Sequence, residues 1–250
     1  MDVNKNTYTF IFASVLVIVL AAILSFLSVN LSPKQDANIV KEKKQNILKS
    51  VGVNTSRDSS DVLYNQYIKE EIVLDCNGDI LEGTAFNVDL KLEMKKNIKD
   101  QLFPIFLANI DNNRECYIIP LRGKGLWGPI WGYIALENDF KTVFGAVFDH
   151  KSETPGLGAE INTTDFQDPF QGKLIFKDDN FVSIKVVKGG AKLGDNHGVD
   201  GISGGTITSD GVTDMLYERL ENYLPYFTKM RNQEKGGNDT LSFQLDSMQL

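Results

Sequence analysis

Residues 8–29 read YTFIFASVLVIVLAAILSFLSV, and they set this chain apart from an ordinary soluble protein. They lie within a longer run, from Asn6 to Pro33, that contains no charged residue. Because a helix rises 1.5 Å per residue, about 20 residues cover the roughly 30 Å hydrocarbon core of a bilayer. A cleaved signal peptide would have an apolar region of only about 7–15 residues and a small-x-small cleavage site. The sequence therefore predicts a retained transmembrane anchor over residues 8–30.

The chain as a whole has the composition of a globular protein, with 42% hydrophobic and 24% charged residues among 250. Its 26 basic and 33 acidic residues give a net charge of -7, which argues against binding to nucleic acid. Two cysteines, Cys76 and Cys116, cannot form a disulfide framework for a chain of this length. Together with only two histidines they also fall short of a closed zinc site, so no metal site is expected.

The charges that flank the anchor do not decide which side of the membrane carries the large domain. The positive charges before the apolar run are Lys5 and the terminal amine, whereas residues 34–49 after it contain five lysines: Lys34, Lys41, Lys43, Lys44 and Lys49. The positive-inside rule would keep the domain in the cytoplasm. However, Asp36 and Glu42 dilute the asymmetry, and large domains can be translocated despite flanking charge. Charge alone leaves the side open.

After the anchor the pattern predicts a polar juxtamembrane helix or stalk over residues 31–57, then one domain over residues 58–232. The stalk carries a sparse apolar seam of Ile39, Ile47 and Leu48, and Gly52 is the predicted stop for its helix. A short second helix is expected over Asp61–Lys69. Residues 1–7 are expected to be a cytoplasmic N-terminus, and residues 233–250 a loose polar tail.

Within the domain, strand-like runs separated by turn signals precede one helix. Strands are predicted at Glu71–Asp75, Ala85–Leu90, Cys116–Leu121, Tyr133–Glu137, Val143–Asp149, Lys173–Phe176 and Phe181–Val187. The last pair is interpreted as a β-hairpin. From Thr208 onward the apolar spacing becomes helical, with Thr208 or Ser209 as the expected cap and Pro225 as the expected kink or end. The predicted fold class is α+β.

Residues 199–209, VDGISGGTITS, are the densest cluster of glycine and hydroxyl residues in the sequence. Such a cluster needs no function in a loop between a strand and a helix. Gly201-Ile202-Ser203-Gly204-Gly205 also satisfies the elbow pattern of serine hydrolases, with Ser203 as nucleophile. His150 and His197 would then be the only available bases, and His197 lies only six residues upstream in a glycine-rich loop, where no supporting element is apparent.

A different hypothesis for this cluster uses the helix that follows it. A glycine-rich loop leading into a helix N-terminus offers free backbone N–H groups and a positive dipole end to an anion. A phosphate held at Thr206 would lie where that field is strongest. The physics does not choose between a bound nucleotide and a covalent ester, nor among Ser203, Thr206, Thr208 and Ser209 as the anchor.

Residues 200–206, DGISGGT, resemble the Asp-Gly-x-Ser-Gly-Ala-Thr motif of the FMN-binding domain family. In that motif a flavin transferase esterifies FMN, through its phosphate, onto the threonine, and a hydroxyl residue follows two positions later, here Thr208. Gly205 departs from the usual alanine. A second segment, residues 150–160, HKSETPGLGAE, resembles the Glu-Thr-Pro-Gly-Leu-Gly loop of the same family. The two motifs occur in the expected order, so the resemblance is specific.

Within this superfamily the chain is most similar to the C subunits of sodium-translocating NADH:quinone reductases. Residues 123–136, GKGLWGPIWGYIAL, resemble a signature of those subunits, and the single N-terminal anchor and the length also fit. The G subunits of Rnf electron-transport complexes share the loop and the threonine motif and are the alternative. They are expected to be shorter and to lack the Leu126-Trp127 segment in this form.

The resemblance implies a fold and a set of site residues. The domain is expected to have a twisted, mostly antiparallel sheet with flanking helices and to hold covalent FMN on Thr206. Glu153 and Thr154 are expected to hydrogen-bond the flavin, Leu157 to pack on its ring, and Leu126 and Trp127 to lie over or beside it. The motif residues assigned to cofactor binding are Asp200, Ser203, Gly204, Gly205, Thr208 and Gly158.

The resemblance also implies a role in electron carriage within a membrane complex of the bacterial inner membrane that couples NADH oxidation by quinone to sodium export. It places the domain on the periplasmic side, against the lysine count, where a flavin transferase acts. The expected partners are the other subunits, that transferase and the membrane. The chain alone is not expected to oxidise NADH, because no strand-linked Gly-x-Gly-x-x-Gly site occurs in the sequence. A membrane-tethered scaffold with a vestigial motif and a hydrolase using Ser203 are the remaining alternatives.

Overall fold

The computed structural model describes residues 6–110 and 114–232. The predicted loose tail, residues 233–250, and most of the predicted N-terminal segment lie outside the described residues. Two compact units divide at Lys44 and Gln45. The first consists of most of helix α1 (Asn6–Ser50), which runs through Pro33 without interruption and covers both the predicted anchor and most of the predicted stalk. An 18-residue window of α1 has a mean hydropathy of 3.0, so the helix is long and apolar enough to cross a membrane.

The second unit is built on a six-stranded antiparallel sheet. Its strands lie in the order β2-β1-β3-β4-β5-β6. They span β1 (Ile68–Leu74), β2 (Ile80–Leu81), β3 (Phe103–Ile110), β4 (Arg114–Lys124), β5 (Pro129–Glu137) and β6 (Val143–His150). Helix α2 (Ser60–Tyr67) precedes the sheet, and the short helices α3 (Leu90–Glu93) and α4 (Thr164–Gln167) lie in its connections. The α+β class and the antiparallel sheet are therefore as the sequence predicts.

Both faces of the sheet are covered by hydrophobic clusters. Successive side chains of a strand point to opposite sides, so neighbouring residues belong to different clusters. On β4, Ile119 belongs to a cluster that includes residues of the last helix, whereas its neighbour Ile118 belongs to a second cluster on the other face. The second cluster includes Ile47 and Leu48, neither of which is exposed. The last turn of α1 is thus part of the folded core of this unit, although the sequence predicts a polar helix or stalk there. The predicted boundary at residues 57 and 58 stays a prediction.

Two shorter strand pairs connect the sheet to the last helix. Strands β7 (Phe176–Lys177) and β8 (Asn180–Phe181) form the predicted hairpin, and β9 (Lys185–Val187) pairs in parallel with β10 (Gly198–Asp200). Helix α5 (Thr206–Glu221) then packs on β4 and β9. A turn at residues 222–223 separates it from a helical segment at 224–232, so α5 ends before Pro225, as predicted.

The strand predictions fail at several places, and of the predicted strand Lys173–Phe176 only Phe176 lies in a strand, β7. Ala85–Leu90 is not a strand: it forms a 3-10 turn at Ala85–Asn87 and leads into α3. The predicted strand Phe181–Val187 is split in two, because Ser183 adopts a left-handed backbone conformation with φ of 59°. Strand β3 is absent from the prediction, since its residues FPIFLANI are mostly buried on both faces and show no alternation.

Candidate functional site

A tight turn exposes Leu126 and Trp127 at one end of the sheet. Strands β4 and β5 pair as far as Lys124 and Pro129, and Gly125 N donates to Gly128 O at 2.8 Å. The two residues between these glycines are left at the tip of the hairpin. Leu126 is 48% exposed and Trp127 is 67% exposed. Large apolar side chains at such a tip offer an accessible surface to a flat apolar group.

The N-terminus of α5 follows a glycine turn directly after β10. Gly204 has φ of +75°, and Gly205 is the residue that precedes the helix, which begins at Thr206. The prediction that Thr208 or Ser209 caps the helix is wrong, because both lie inside its first turn and their hydroxyls have other partners. Thr208 Oγ1 donates to Glu153, and Ser209 Oγ accepts from Ile202 N at 3.2 Å.

The first backbone amides of α5 are available to a ligand. Within the described residues, the N–H groups of Thr206, Ile207 and Thr208 have no acceptor. Such groups at a helix N-terminus, with the positive end of the helix dipole, favour an anion. Thr206 stands at this end, and its hydroxyl has no hydrogen-bond partner among residues 6–110 and 114–232.

The loop after β6 comes back to the same place. Leu157 N and Ala159 N both donate to Thr154 O at 3.1 Å, and Gly156 has φ of +75°. This tight turn leaves Leu157 40% exposed. A Cβ on Gly204 would stand 2.6 Å from Leu157 Cδ2, so the loop and the glycine turn before α5 are in direct contact.

Glu153 joins the three segments. Its side chain is buried, with the residue only 5% exposed. Oε1 accepts from Trp127 N at 2.9 Å, and Oε2 accepts from Thr208 Oγ1 at 2.7 Å. Its own backbone N donates to His150 Nδ1 at 3.2 Å. The carboxylate therefore connects the hairpin tip to the first turn of α5.

Glycines make this junction sterically possible. A Cβ on Gly125 would stand 2.5 Å from Glu153 Oε1, and one on Gly158 would stand 2.3 Å from Thr208 Oγ1. A Cβ on Gly205 would lie 3.3 Å from Gly158 N, which brings the two sequence motifs into contact. Because the distances at Gly125 and Gly158 leave no room for larger side chains, these two glycines are needed for the packing.

The structure brings most of the predicted site residues together at this junction, whereas others lie beside it or face away from it. Nine of them line this junction or lie within it: Leu126, Trp127, Glu153, Leu157, Gly158, Gly204, Gly205, Thr206 and Thr208. Ser203 and Thr154 are adjacent and exposed. Asp200 faces the loop before β10 instead, where its Oδ1 accepts from Ala191 N at 2.8 Å. The sequence assigns His150 no role in the flavin site. In the structure its Nδ1 accepts a hydrogen bond from Glu153 N, and this contact is what places it next to the site.

The arrangement does not form a hydrolase site. His150 Nδ1 accepts from Glu153 N, and His197 Nδ1 lies 2.7 Å from Leu174 O. Ser203 is exposed, and in the described part of the chain it makes no hydrogen bond to either histidine. A serine nucleophile requires a base within hydrogen-bond reach. Likewise, the described residues contain no cluster of metal-binding side chains.

The FMN-binding domain family matches residues 125–221, which run from the hairpin tip to the end of α5. Over 235 residues the chain is 32% identical to the C subunit of the Na(+)-translocating NADH-quinone reductase of Vibrio alginolyticus, covering 87% of this chain and 92% of that protein. The protein of the same name from Vibrio anguillarum is 33% identical, over 92% of this chain and 96% of its own length.

Solved structures agree with these relatives. The crystal structure of the C subunit of the Na(+)-translocating NADH-quinone reductase from Parabacteroides distasonis matches with a TM-score of 0.74 at 43% identity, over 79% of this chain and 97% of that one. The crystal structure of Shewanella oneidensis NqrC matches with a TM-score of 0.65 at 28% identity, over 79% and 98%.

Proposed function

This chain belongs to the family of Na(+)-translocating NADH-quinone reductase C subunits, and from that premise we propose that it carries electrons through FMN esterified to Thr206. As a member of this family it is part of an oxidoreductase complex and contains an FMN-binding domain. The resemblance to the C subunits is confirmed, so the Rnf alternative is not adopted. The covalent link, its position and the side of the membrane are the parts that we propose.

Hydroxyl accessibility supports Thr206 as the anchor. Of the four candidates, Thr208 is 1% exposed and Ser209 is 3% exposed, and both hydroxyls are hydrogen-bonded. A transferase could not reach them without opening the first turn of α5. Only Ser203, which is exposed, and Thr206, which is half-buried, are accessible. Thr206 is favoured over Ser203 because it stands at the first position of the helix, beside the unpaired amides.

The residues present fit an FMN. The unpaired amides of Thr206, Ile207 and Thr208 suit a phosphate attached to the Thr206 oxygen, because they supply donors and a positive dipole end. Gly204 and Gly205 add no side chain of their own at this end of the helix, where the side chains of Leu157 and Ile202 already pack. The exposed Leu126, Trp127 and Leu157 offer apolar surface that would hold and partly desolvate a flat ring.

When bound, FMN supplies the ability to accept two electrons and to release them one at a time. The protein would hold the phosphate at α5, orient the ring against the hairpin tip and exclude water from its apolar face. No residue of the junction is assigned an acid-base role. Carrying FMN on Thr206 would prevent its loss while leaving the ring free for transfer to the other subunits of the complex.

A denaturing gel tests the attachment. The full chain is co-expressed with a flavin transferase, denatured and examined for flavin fluorescence under ultraviolet light. We expect a fluorescent band that Thr206→Ala abolishes and Ser203→Ala retains. A band that survives Thr206→Ala would overturn the anchor. Absence of a band in the unsubstituted chain, with active transferase present, would favour the scaffold alternative.

We further propose that residues 8–30 anchor the chain in the bacterial inner membrane and that the domain of residues 58–232 lies on the periplasmic side, where the transferase acts. The length and apolarity of α1 support the anchor. A periplasm-specific reporter fused after residue 232 should be active in intact cells, whereas a cytoplasm-specific reporter at the same position should not. The reverse result would place the domain in the cytoplasm. Sodium coupling is proposed on the basis of the relatives' name alone.

A further inference from the structure

We propose that Glu153 is a positioning residue, which holds the hairpin tip and the first turn of α5 in register for the flavin, and that it does not bind the flavin itself. The inference rests on the proposed attachment at Thr206. It differs from the expectation that Glu153 hydrogen-bonds the flavin. The observation that carries it is that one buried carboxylate receives hydrogen bonds from both elements, at 2.9 Å from Trp127 N and 2.7 Å from Thr208 Oγ1.

The carboxylate of Glu153 has both oxygens engaged and little free space around it. Each oxygen already accepts a hydrogen bond from the protein, and the residue is only 5% exposed. Its two oxygens would stand 2.5 Å from a Cβ on Gly125 and 2.6 Å from a Cβ on Gly158. A carboxylate enclosed in this way is placed to accept hydrogen bonds from the protein rather than from a ligand.

The two elements that Glu153 joins carry different parts of the proposed site. The hairpin tip presents Leu126 and Trp127, and the first turn of α5 presents Thr206 two residues before Thr208. Within the described chain, Trp127 N has no other acceptor and Thr208 Oγ1 no other partner. Loss of the carboxylate would therefore remove the side-chain link between the hairpin tip and the first turn of α5, at the point where the flavin must meet both.

The test compares Thr208→Val, which removes the donor with little change of shape, with Glu153→Ala, which removes the acceptor. Full-length chains are co-expressed with the transferase, and two quantities are measured: the rate at which flavin becomes attached, and the visible circular dichroism of the attached flavin in the folded protein. A misplacement of about 1 Å can cost a reaction roughly 100-fold. We expect attachment to slow by about 10- to 100-fold in either variant, with a weaker visible signal.

A double variant and a conservative substitution at Thr208 separate a loss of positioning from other causes of slower flavin attachment. If Glu153 and Thr208 act as one unit, Glu153→Ala combined with Thr208→Val should be no worse than the more damaging single change. Thr208→Ser, which keeps the hydroxyl donor, should restore both the rate and the visible signal. Additive losses, or failure of serine to restore them, would overturn the proposal.

Thr213→Val is the matched control for stability. Thr213 is on the same helix, and its Oγ1 accepts a hydrogen bond from Val186 N at 2.9 Å, on the side of β9. This change should lower the melting temperature without altering attachment or the visible signal. If it slows attachment as much as Thr208→Val does, the effect is general destabilisation and the proposal fails. A fluorescent band in the unsubstituted chain, with normal attachment in Thr208→Val and Glu153→Ala, would refute this inference and leave the Thr206 assignment intact.

Discussion

Gly158 lies so close to Thr208 that a Cβ added to the glycine would stand 2.3 Å from the threonine Oγ1. Gly158 has no left-handed backbone angle, so the requirement for glycine here is one of space alone. Gly158→Ala should therefore push the loop away from α5. We expect a loss of about 1–3 kcal/mol in the free energy of unfolding, measured by urea denaturation, together with weaker flavin attachment.

Gly172→Ala is the control for this change. Nothing lies within 4 Å of a Cβ at position 172, but its φ is +76°, so alanine there introduces backbone strain without a clash. It should cost about 1 kcal/mol and leave flavin attachment unchanged. Equal flavin attachment in both variants would contradict the steric role of Gly158.

Gly205 occupies a position where the motif usually has alanine. A Cβ on Gly205 would stand 3.0 Å from Ile202 Cγ2 and 3.1 Å from Ile202 Cβ, closer than ordinary contact. In this chain the isoleucine fills the space that the alanine methyl would take. We expect Gly205→Ala to keep the fluorescent band but to cost about 1 kcal/mol in urea denaturation.

Shortening Ile202 should reverse part of that cost. Adding Ile202→Ala to Gly205→Ala removes Ile202 Cγ2, the atom that would stand 3.0 Å from the new methyl group. We expect the double variant to be more stable than the sum of the two single changes predicts, by about 0.5 kcal/mol or more. Strict additivity would show that Ile202 does not limit the alanine.

The sequence is informative about the site where the signal is local. Thr206 and the glycines before it follow one another in the chain, and the change to helical spacing after them is visible without a structure. The hydrogen bonds of Glu153 cannot be predicted, because its partner Thr208 is 55 positions away and their contact depends on tertiary packing. The hydrogen bond that Asp200 Oδ1 accepts from Ala191 N is likewise not visible in the motif, which predicts only a cofactor contact for Asp200.

The same contrast applies to the fold. Strands β4, β5 and β6 are predictable because turn signals bound them, whereas β3 has neither alternation nor a glycine-rich boundary. The core position of Ile47 and Leu48 escapes prediction for a related reason. In the sequence, two apolar residues in a polar helix look the same whether they are exposed or buried. Their burial becomes visible only with the sheet that packs against them.

The two cysteines should differ in reactivity. Both are free thiols. Cys76 is partly buried and packs against the cluster that includes residues of α5, whereas Cys116 is fully buried in the cluster on the other face of the sheet. Burial, aided by the charge of Glu137, raises the pKa of the Cys116 thiol to about 12. Since the thiolate is the reactive form, only a fraction on the order of 10⁻⁴ is ionised at pH 8.

Iodoacetamide at pH 8 should therefore label one thiol per folded chain, as counted by mass spectrometry. Cys76→Ser should abolish rapid labelling, and Cys116→Ser should leave it unchanged. Because the pKa is raised in the folded state, Cys116 becomes reactive only as the pH approaches about 12 or when urea unfolds the chain. Labelling of Cys116 in the native protein at pH 8 would contradict its position in the core.

The last turn of α1 should contribute to the stability of the domain. Leu48 has no exposed surface and packs in the cluster that contains Phe106 and Tyr133. Leu48→Ala should cost about 2–5 kcal/mol, because it removes buried apolar contacts and leaves a cavity. Val62→Ala provides the control, since Val62 is 68% exposed on α2 and its truncation should change stability by less than about 0.5 kcal/mol. Thermal unfolding of the full chain in detergent measures both. Equal melting temperatures for the two variants would show that the domain folds without the end of α1, and that its boundary lies nearer residue 58, where the sequence predicts it.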